Sequence, residues 1–352
     1  MTNAPLRLFW TAAAAALLAA CSRGAPAPSM LPASGGYVPQ TIQQNNGSNW
    51  VTIPAGNLSF AFNCKVLAGA GVLYVCGQAL AQPFSIVTIG MDQSLSYPNV
   101  QAKCPFNGIN YNVYAYDLTL NAENENLYWN NDIQDSQGHP VLAWGLIQPN
   151  GSTACFTNVG VALNSTSYYT ALGPNDTIWI TAGGNFYLFS HDGTLKSLPM
   201  DKSLGVGLFG MVYGPDRVMW GVTAAAALVR INPSTGKLLS TFGMNCEPNQ
   251  TLASFGGKIW SVGDGCIFSV TPKGVQTTYS VPNFNGLSSG YRLTQGPDGN
   301  PWFTGSYNGA QSLGTVDLKT KAVTVYTVPV QQHGAVRSLG TGPDRNIYLP
   351  DG

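Results

Sequence analysis

Charged side chains are scarce in this sequence: Asp, Glu, Lys and Arg together make up 9% of its 352 residues. The 16 basic residues balance the 16 acidic ones, so the formal net charge at pH 7 is zero. Such a chain has no basic field to attract the phosphate backbone of nucleic acids and no acidic field to attract cationic partners. We therefore expect no nucleic-acid partner.

Histidine and glutamate, which often supply acid–base catalysis or metal ligands, occur only as His139, His191, His333, Glu123, Glu125 and Glu247. Ser190, His191 and Asp192 do not predict a catalytic triad, because sequence neighbours at a strand end cannot converge on one substrate. No Cys-x-x-Cys spacing exists, so a metal site built from cysteines is not expected. The sequence therefore offers no candidate catalytic residue and no metal site.

A sustained helical period is missing after the N-terminus, and the chain contains 41 Gly and 23 Pro, which is typical of a turn-rich all-β protein. The main pattern is a Gly-Pro-Asx triplet whose glycine precedes an aromatic residue by six positions. Its four copies pair Gly173 with Trp179, Gly214 with Trp220, Gly296 with Trp302 and Gly342 with Tyr348. Each copy predicts one turn followed by one strand.

Three weaker copies keep only an aliphatic–aromatic pair, at Tyr74, Tyr128 and Trp260. Neighbouring aromatic positions are 40 to 54 residues apart, close to the length of a four-stranded propeller blade. Seven copies predict an all-β, seven-bladed β-propeller, because such units bury their apolar faces only by stacking. The chain begins with the end of a blade and finishes with the start of one. We therefore expect residues 37–53 to pair with residues 336–350 in a composite closing blade.

Residues 1–20 have the pattern of a signal peptide rather than of a folded segment. Arg7 precedes an apolar run that is too short to span a bilayer, and Leu18-Ala19-Ala20-Cys21 resembles the lipobox of bacterial lipoproteins. That resemblance implies cleavage before Cys21 and a membrane anchor through lipid on its sulfur; the alternative is an ordinary secretory signal. Residues 21–36 then form a flexible tether, and residues 37–352 form the propeller.

The remaining cysteines also indicate export, because their number is even, as a disulfide framework requires. Of the fifteen possible pairings, hairpin symmetry favours two pairs that face across adjacent strands, and the third pair follows by elimination. The predicted bridges are Cys64–Cys76, Cys246–Cys266 and Cys104–Cys155. We expect a monomer in the bacterial cell envelope that faces the periplasm or the exterior. Ser22 after Cys21 favours the outer membrane where one exists.

The segment from Gln295 to Thr304, Gln-Gly-Pro-Asp-Gly-Asn-Pro-Trp-Phe-Thr, resembles the repeat of the virginiamycin B (streptogramin B) lyase-like propellers. The resemblance covers most of residues 169–352 well and residues 37–168 only in general pattern. It implies a seven-bladed propeller. In the lyases it also implies His and Glu side chains that act with a divalent metal such as Mg²⁺ to linearise a cyclic depsipeptide by elimination.

This sequence departs from the lyase pattern at the positions that carry the chemistry. Where the family has His before the triplet, the chain has Tyr168, Phe209, Tyr291 and Arg337. Where the family has Glu after Trp-Phe-Thr, it has Ala182, Thr223, Gly305 and Asp351. We therefore favour a propeller that binds a small ligand, a glycan or a protein and needs no cofactor. The alternative is a metal-dependent C–O lyase with relocated catalytic groups.

One polar cluster is a candidate binding site. His333 lies four residues before Arg337 on the approach to the last inner strand, and Tyr291 and Arg292 hold the matching place one blade earlier. Together they predict a site at the rim of the central channel for an anionic or hydroxylated ligand. A solvated loop histidine beside two structural arginines is the other interpretation.

Overall fold

The computed structural model describes the strands between residues 41 and 120 and, beyond them, 126–134, 140–148, 152–159, 170–205, 207–248, 251–286, 292–328, 339–342 and 344–351. All of these residues belong to the unit Pro39–Gly352. The predicted signal peptide, the tether and Cys21 lie outside the described residues and stay predictions.

The described residues form 33 strands and two short 3-10 helices. In the first half of the chain the strands are β1 (Thr41–Asn45), β2 (Trp50–Pro54), β3 (Leu58–Ser59), β4 (Val66–Ala68), β5 (Val72–Cys76), β6 (Gln78–Ala79), β7 (Ile86–Gly90), β8 (Leu95–Ser96), β9 (Lys103–Phe106), β10 (Ile109–Asn112), β11 (Asp117–Leu120), β12 (Leu127–Gln134), β13 (Pro140–Ile147), β14 (Thr153–Val159) and β15 (Ala171–Leu172).

In the second half they are β16 (Ile178–Ala182), β17 (Asn185–Phe189), β18 (Leu195–Pro199), β19 (Leu208–Tyr213), β20 (Met219–Thr223), β21 (Leu228–Ile231), β22 (Leu238–Phe242), β23 (Ala253–Phe255), β24 (Lys258–Gly263), β25 (Cys266–Val270), β26 (Gln276–Ser280), β27 (Phe284–Asn285), β28 (Leu293–Gln295), β29 (Pro301–Tyr307), β30 (Ala310–Val316), β31 (Val323–Thr327), β32 (Gly340–Thr341) and β33 (Ile347–Asp351). The helices are Pro174–Asp176 and Lys202–Leu204. Among the described residues, no helix is long and apolar enough to cross a membrane.

Antiparallel pairing arranges most strands in sheets of four or five, which we number by the chain order of their inner strands, from β4 to β32. They are sheet I (β4, β5, β7, β8), sheet II (β11–β14), sheet III (β15–β18), sheet IV (β19–β22), sheet V (β23–β26), sheet VI (β27–β31) and sheet VII (β32, β33, β1, β2). Two further strand pairs, β3 with β6 and β9 with β10, lie outside these sheets. The pair β9–β10 falls between sheets I and II, which accounts for the longer spacing between Tyr74 and Tyr128.

The inner strands of consecutive sheets contact one another in a closed cycle. It runs through β4, β11, β15, β19, β23, β28 and β32 and returns from β32 to β4. A cycle of antiparallel four-stranded sheets is the architecture of a β-propeller, so the predicted fold class is confirmed. The number of seven blades, which was derived from the repeats, stays a prediction.

Closure of the ring joins the two ends of the chain, as the sequence predicts. Strand β1 pairs with β33 along its whole length, from Thr41 opposite Asp351 to Asn45 opposite Ile347. On its other edge β1 pairs with β2, and β33 pairs with β32. The four-stranded closing sheet therefore takes two strands from each end of the chain.

The core lies between neighbouring sheets, and the repeated aromatic residues are at its centre. Trp179 of sheet III packs with Met219 of sheet IV. Trp220 of sheet IV packs with Phe268 of sheet V, and Trp302 of sheet VI packs in one cluster with sheet VII. These three sheets thus bury their repeat aromatic against the next sheet, as expected for units that cannot bury that face alone.

The six-residue spacing between triplet glycine and aromatic has a steric cause. A Cβ atom on Gly173, Gly214, Gly296 or Gly342 would lie between 2.1 and 2.5 Å from the nearest atom of the aromatic ring six residues later. The backbone N–H of each glycine also donates to the carbonyl four residues on, for example from Gly296 to Asn300 at 2.8 Å. The ring therefore packs directly on the turn, and only glycine leaves room for it.

The triplet aspartates complete the same unit. Asp216 accepts a hydrogen bond from Trp220 Nε1 at 2.9 Å, and Asp298 accepts one from Trp302 Nε1 at 3.0 Å. The Tyr348 hydroxyl donates to Asp344 at 2.7 Å, which together with burial of the ring raises the pKa of Tyr348. Each triplet predicts a turn, in which Asp is a common residue; the role of these aspartates as partners of the buried aromatic residue is a finding of the structure.

Candidate functional site

The order of strands gives each sheet two chemically different ends. In an antiparallel sheet of four consecutive strands, the first and third turns lie at one end, while the second turn and the connection to the next sheet lie at the other. The Gly-Pro-Asx turns belong to the first end. We call the other end, formed by the second hairpins and by the connections between sheets, the hairpin end.

A first recess at the hairpin end lies between the second hairpin of sheet V and the connection to sheet VI. It has a volume of about 360 Å³ and is lined by Asp264, Gly265, Asn283, Phe284 and Asn285. Two backbone hydrogen bonds fix it, one from Gly265 N–H to the Phe284 carbonyl at 2.7 Å and one from Val281 N–H to the Gly265 carbonyl at 2.8 Å. The recess therefore presents one carboxylate and two carboxamides on a rigid frame.

A second recess occupies the equivalent position of sheet IV. Its volume is about 430 Å³, and more of its lining residues are apolar in type: Ala225, Ala226, Ala227, Phe242, Gly243, Met244 and Glu247. The Gln276 side chain of sheet V holds one wall, because its Nε2 donates to the Gly243 carbonyl at 2.6 Å and its Oε1 accepts from the Asn245 N–H at 3.4 Å. Phe242 stacks on Trp220 with ring centroids 5.3 Å apart. Glu247 supplies the carboxylate of this recess.

The two recesses adjoin where the chain crosses from sheet IV to sheet V. A Cβ on Gly263 would lie 2.2 Å from the Glu247 carbonyl oxygen and 2.6 Å from Cys246 Sγ, so this glycine permits the close approach of the connection. Gly263 also precedes Asp264 of the first recess. Among the ion pairs of the described residues, neither Glu247 nor Asp264 takes part.

A disulfide between Cys246 and Cys266 joins the same two segments, with Cα atoms 6.2 Å apart. The predicted pairing is therefore observed, but the predicted geometry across adjacent strands is wrong. Cys246 lies in the connection before β23, and Cys266 begins the third strand, because Gly263 lets the connection reach over β24. Cys155 is also disulfide-bonded, and its strand β14 contacts β9, which carries Cys104. The pairs Cys104–Cys155 and Cys64–Cys76 stay predictions.

Of the predicted channel cluster, the described residues include Arg292 alone. Its side chain is buried, with 6% exposed, and Nη1 donates to Thr251 Oγ1 of the neighbouring sheet at 3.0 Å. Its backbone N–H donates to Thr304 Oγ1 at 2.9 Å, and its carbonyl accepts from the Thr304 N–H at 2.9 Å. Arg292 thus links the inner strands of sheets V and VI. Tyr291, His333 and Arg337 lie outside the described residues, and the ligand-binding role of the cluster stays a prediction.

The polar groups near His191 belong to the opposite end of the sheets. Asp192 accepts a hydrogen bond from the Thr194 N–H at 2.9 Å, which lowers the pKa of this carboxyl, so it is a turn former. His191 Nδ1 lies 3.8 Å from Asp176 Oδ2, and its side chain is 59% exposed. Burial raises the pKa of the nearby Tyr128, and the Asp176 carboxylate raises it further. These contacts join sheets II and III and form no Ser-His-Asp triad.

Sequence reasoning missed both recesses. Their linings come from second hairpins and from connections between sheets, and the two hairpins share no motif, since one is Ala225-Ala226-Ala227 and the other Asp264-Gly265. The available signal was Gly263 followed closely by Cys266, which marks a place where another segment approaches the backbone. In the described part of the chain, no group of three or more His, Cys, Asp or Glu residues could hold a metal ion.

The fold defines a class of protein, the β-propellers, and comparisons with solved structures agree with it. Virginiamycin B lyase from Staphylococcus aureus has a TM-score of 0.58 at 15% identity, over 89% of this chain and 99% of that one. A catalytically inactive variant of that lyase with quinupristin has a TM-score of 0.60 at 16% identity, over the same shares of the two chains.

A WD40 propeller is nearly as similar. The WD40 β-propeller domain of Doa1 gives a TM-score of 0.55 at 14% identity, over 82% of this chain and 90% of that domain. No protein-family model matches the sequence, and no curated protein matches it. At such low identities the similarities establish the propeller fold, which lyases and WD40 domains share, and leave the family open.

Proposed function

We propose that this protein is a lipid-anchored propeller of the bacterial cell envelope that binds a polar ligand at its hairpin end. The observation that carries the proposal is the pair of adjoining recesses. They lie at equivalent positions of neighbouring sheets, and backbone hydrogen bonds hold the first of them in shape. Loops positioned by a rigid scaffold are the usual place for binding residues.

The linings suggest the chemistry of the ligand. Asp264, Asn283 and Asn285 offer carboxylate and carboxamide groups, which bind hydroxyl and ammonium groups well. The second recess adds apolar contact from Phe242 and Met244 beside the Glu247 carboxylate. A ligand with hydroxyl or amino groups and one short apolar part matches both recesses, and an amino sugar or a basic peptide has this character.

The test uses the full-length protein in detergent micelles and three probes: chitotriose, trilysine and spermidine. Calorimetric titration is expected to show binding of at least one probe. Glu247→Ala or Asp264→Ala is expected to weaken that binding at least tenfold, since a charged hydrogen bond contributes about 1.5–3 kcal/mol. Asp192→Asn is the control, because it removes a carboxylate at the opposite end and asparagine also forms this turn. Binding that survives both alanine variants would argue against the hairpin end.

A second candidate is a C–O lyase that opens a cyclic depsipeptide. The similarity of fold to virginiamycin B lyase favours it. The positions that resemble the family's His and Glu sites weigh against it, because the chain holds Tyr168, Phe209, Ala182 and Thr223 at two of the repeats. A direct assay for ring opening separates this candidate from the binding protein.

A further inference from the structure

The Cys246–Cys266 disulfide joins the walls of the two recesses. Cys246 is followed by Glu247 of the second recess, and Cys266 is preceded by Gly265 of the first. Both cysteines are buried, at 4% and 8% exposed, in the apolar cluster that contains Trp220 and Phe268. A change in the bridge therefore acts on both recesses at once.

Apart from the apolar packing of Cys246 and Met244, few contacts hold the connection that carries Cys246. Between Gly243 and Glu247 the described residues make two hydrogen bonds: Gln276 Nε2 donates to the Gly243 carbonyl at 2.6 Å, and the Asn245 N–H donates to Gln276 Oε1 at 3.4 Å. Gly263 lets the Glu247 carbonyl approach β24 closely, and the disulfide joins the connection covalently to the neighbouring strand β25. A segment with so few hydrogen bonds opens locally at low free-energy cost once its covalent link is gone.

We propose that the Cys246–Cys266 disulfide is a redox-sensitive lock that holds the two recesses in their binding shape. This inference rests on the proposed function of the hairpin end. With the bridge formed, Glu247 is held beside Gly263 and Asp264. With the bridge broken, the connection leaves the hairpin of sheet V, the second recess loses a wall and the first loses a neighbour that fixes Asp264.

The reducing step requires a dithiol. One of its thiolates attacks a sulfur of the bridge and forms a mixed disulfide, and its second thiol then displaces the protein cysteine. The products are two cysteine thiols and the cyclic oxidised dithiol, so two electrons and two protons pass to the protein. Because both sulfurs are buried beneath Trp220 and Phe268, reduction requires local opening first, which makes it slow in the native state.

Hydrogen exchange measured by mass spectrometry tests the lock without any ligand, so its outcome is independent of the proposed function. The Cys246→Ser/Cys266→Ser variant of the full-length protein is compared with wild type. We expect exchange at the Asn245 amide and in residues 263–266, where hydrogen bonds protect amides in the intact protein, to accelerate about tenfold or more, because a bridge that closes a loop of this size is worth more than that in equilibrium terms. Exchange in β16–β18 is expected to stay within twofold of wild type.

A second variant separates the bridge from the packing of the sulfurs. Cys246→Ala/Cys266→Val keeps the cluster apolar and removes only the covalent link, so it is expected to show the same local acceleration. In wild type, dithiothreitol followed by alkylation is expected to give the same pattern when Cys246 and Cys266 are labelled. Hydrogen exchange of the reduced and alkylated wild type tests the lock even where the variants fail to fold. Acceleration spread evenly over all sheets, or none at all, would overturn the proposal.

Discussion

Adding a single methyl group to Gly296 is the sharpest test of how the repeat works. An ideal Cβ at this position lies 2.1 Å from Trp302 Cδ1 and 2.3 Å from Nε1, whereas non-bonded carbon atoms sit about 3.5–4.0 Å apart. The ring must therefore move by more than 1 Å. It is 7% exposed, stacks on Tyr326 and donates to Asp298 at 3.0 Å, so it has no space to move without losing these contacts.

The expected loss of stability follows from these contacts. Overpacking of a core costs about 1–3 kcal/mol, and a weakened hydrogen bond to a carboxylate adds about 1 kcal/mol. We expect Gly296→Ala to lower the free energy of unfolding by about 2–4 kcal/mol. Gly299→Ala is the matched control in the same turn, because Gly299 has φ +80° and only Gln295 Nε2, at 3.9 Å, near its added Cβ. Its cost is purely conformational, about 1 kcal/mol.

Urea denaturation measures both variants, with tryptophan fluorescence and far-ultraviolet circular dichroism recorded together to establish that the transition is two-state. A double-mutant cycle with Trp302→Phe tests whether contact between the new Cβ and the Trp302 ring causes the loss of stability. The smaller ring leaves the space that the new Cβ needs, so Gly296→Ala is expected to cost at least 1 kcal/mol less in that background. A steric role of the contact between Gly296 and Trp302 is refuted when Gly296→Ala lowers the free energy of unfolding no more than Gly299→Ala does. It is also refuted when Gly296→Ala has the same effect with phenylalanine at position 302.

Three further predictions concern the anchor, the chemistry and the response to alkali. Cys21→Ser is expected to abolish lipid attachment and to leave the precursor uncleaved; unchanged detergent partitioning would contradict the lipobox interpretation. Purified protein with Mg²⁺ is expected not to linearise a streptogramin B antibiotic over a long incubation, as followed by mass spectrometry; opening that a His333→Ala/Arg337→Ala variant abolishes would make these residues catalytic. Because burial and Asp344 raise the pKa of Tyr348 in the folded state, its contribution to stability is complete below the unfolded pKa of about 10 and is lost as pH rises above it. The urea midpoint is therefore expected to fall between pH 9 and pH 11, and to fall less in Tyr348→Phe; equal slopes would contradict this assignment.

The propeller can be predicted from the sequence because the spacing within its repeat follows from a steric constraint, the packing of an aromatic ring on a glycine. Gly214 and Trp220 keep their spacing since the ring lies on the glycine, and such a constraint is visible without a structure. The closing sheet was predictable for a related reason. An inner half-blade at one end of the chain and an outer half-blade at the other leave one arrangement without an open sheet edge.

The candidate site was less predictable because nothing in the repeat specifies it. Asp264 and Glu247 belong to segments that each sheet builds differently, and their proximity depends on the missing side chain of Gly263. Arg292 was identified by position, but its buried bond to Thr251 is a contact between sheets that sequence spacing does not reveal. The disulfide partners followed from symmetry, while their placement depended on the path of the connection.

The closing sheet also determines how this protein responds to mechanical load. Thr41 at the start of β1 lies opposite Asp351 at the end of β33, so the two ends of the folded chain leave the ring at one point. A force applied between an N-terminal anchor and a load on the C-terminus pulls these paired residues directly apart. It breaks the β1–β33 ladder one residue pair at a time, as a zipper opens, and not all five pairs together in shear. The ring is thus closed weakly against tension on its two ends, and pulling on the two termini in an optical trap is expected to rupture this ladder first.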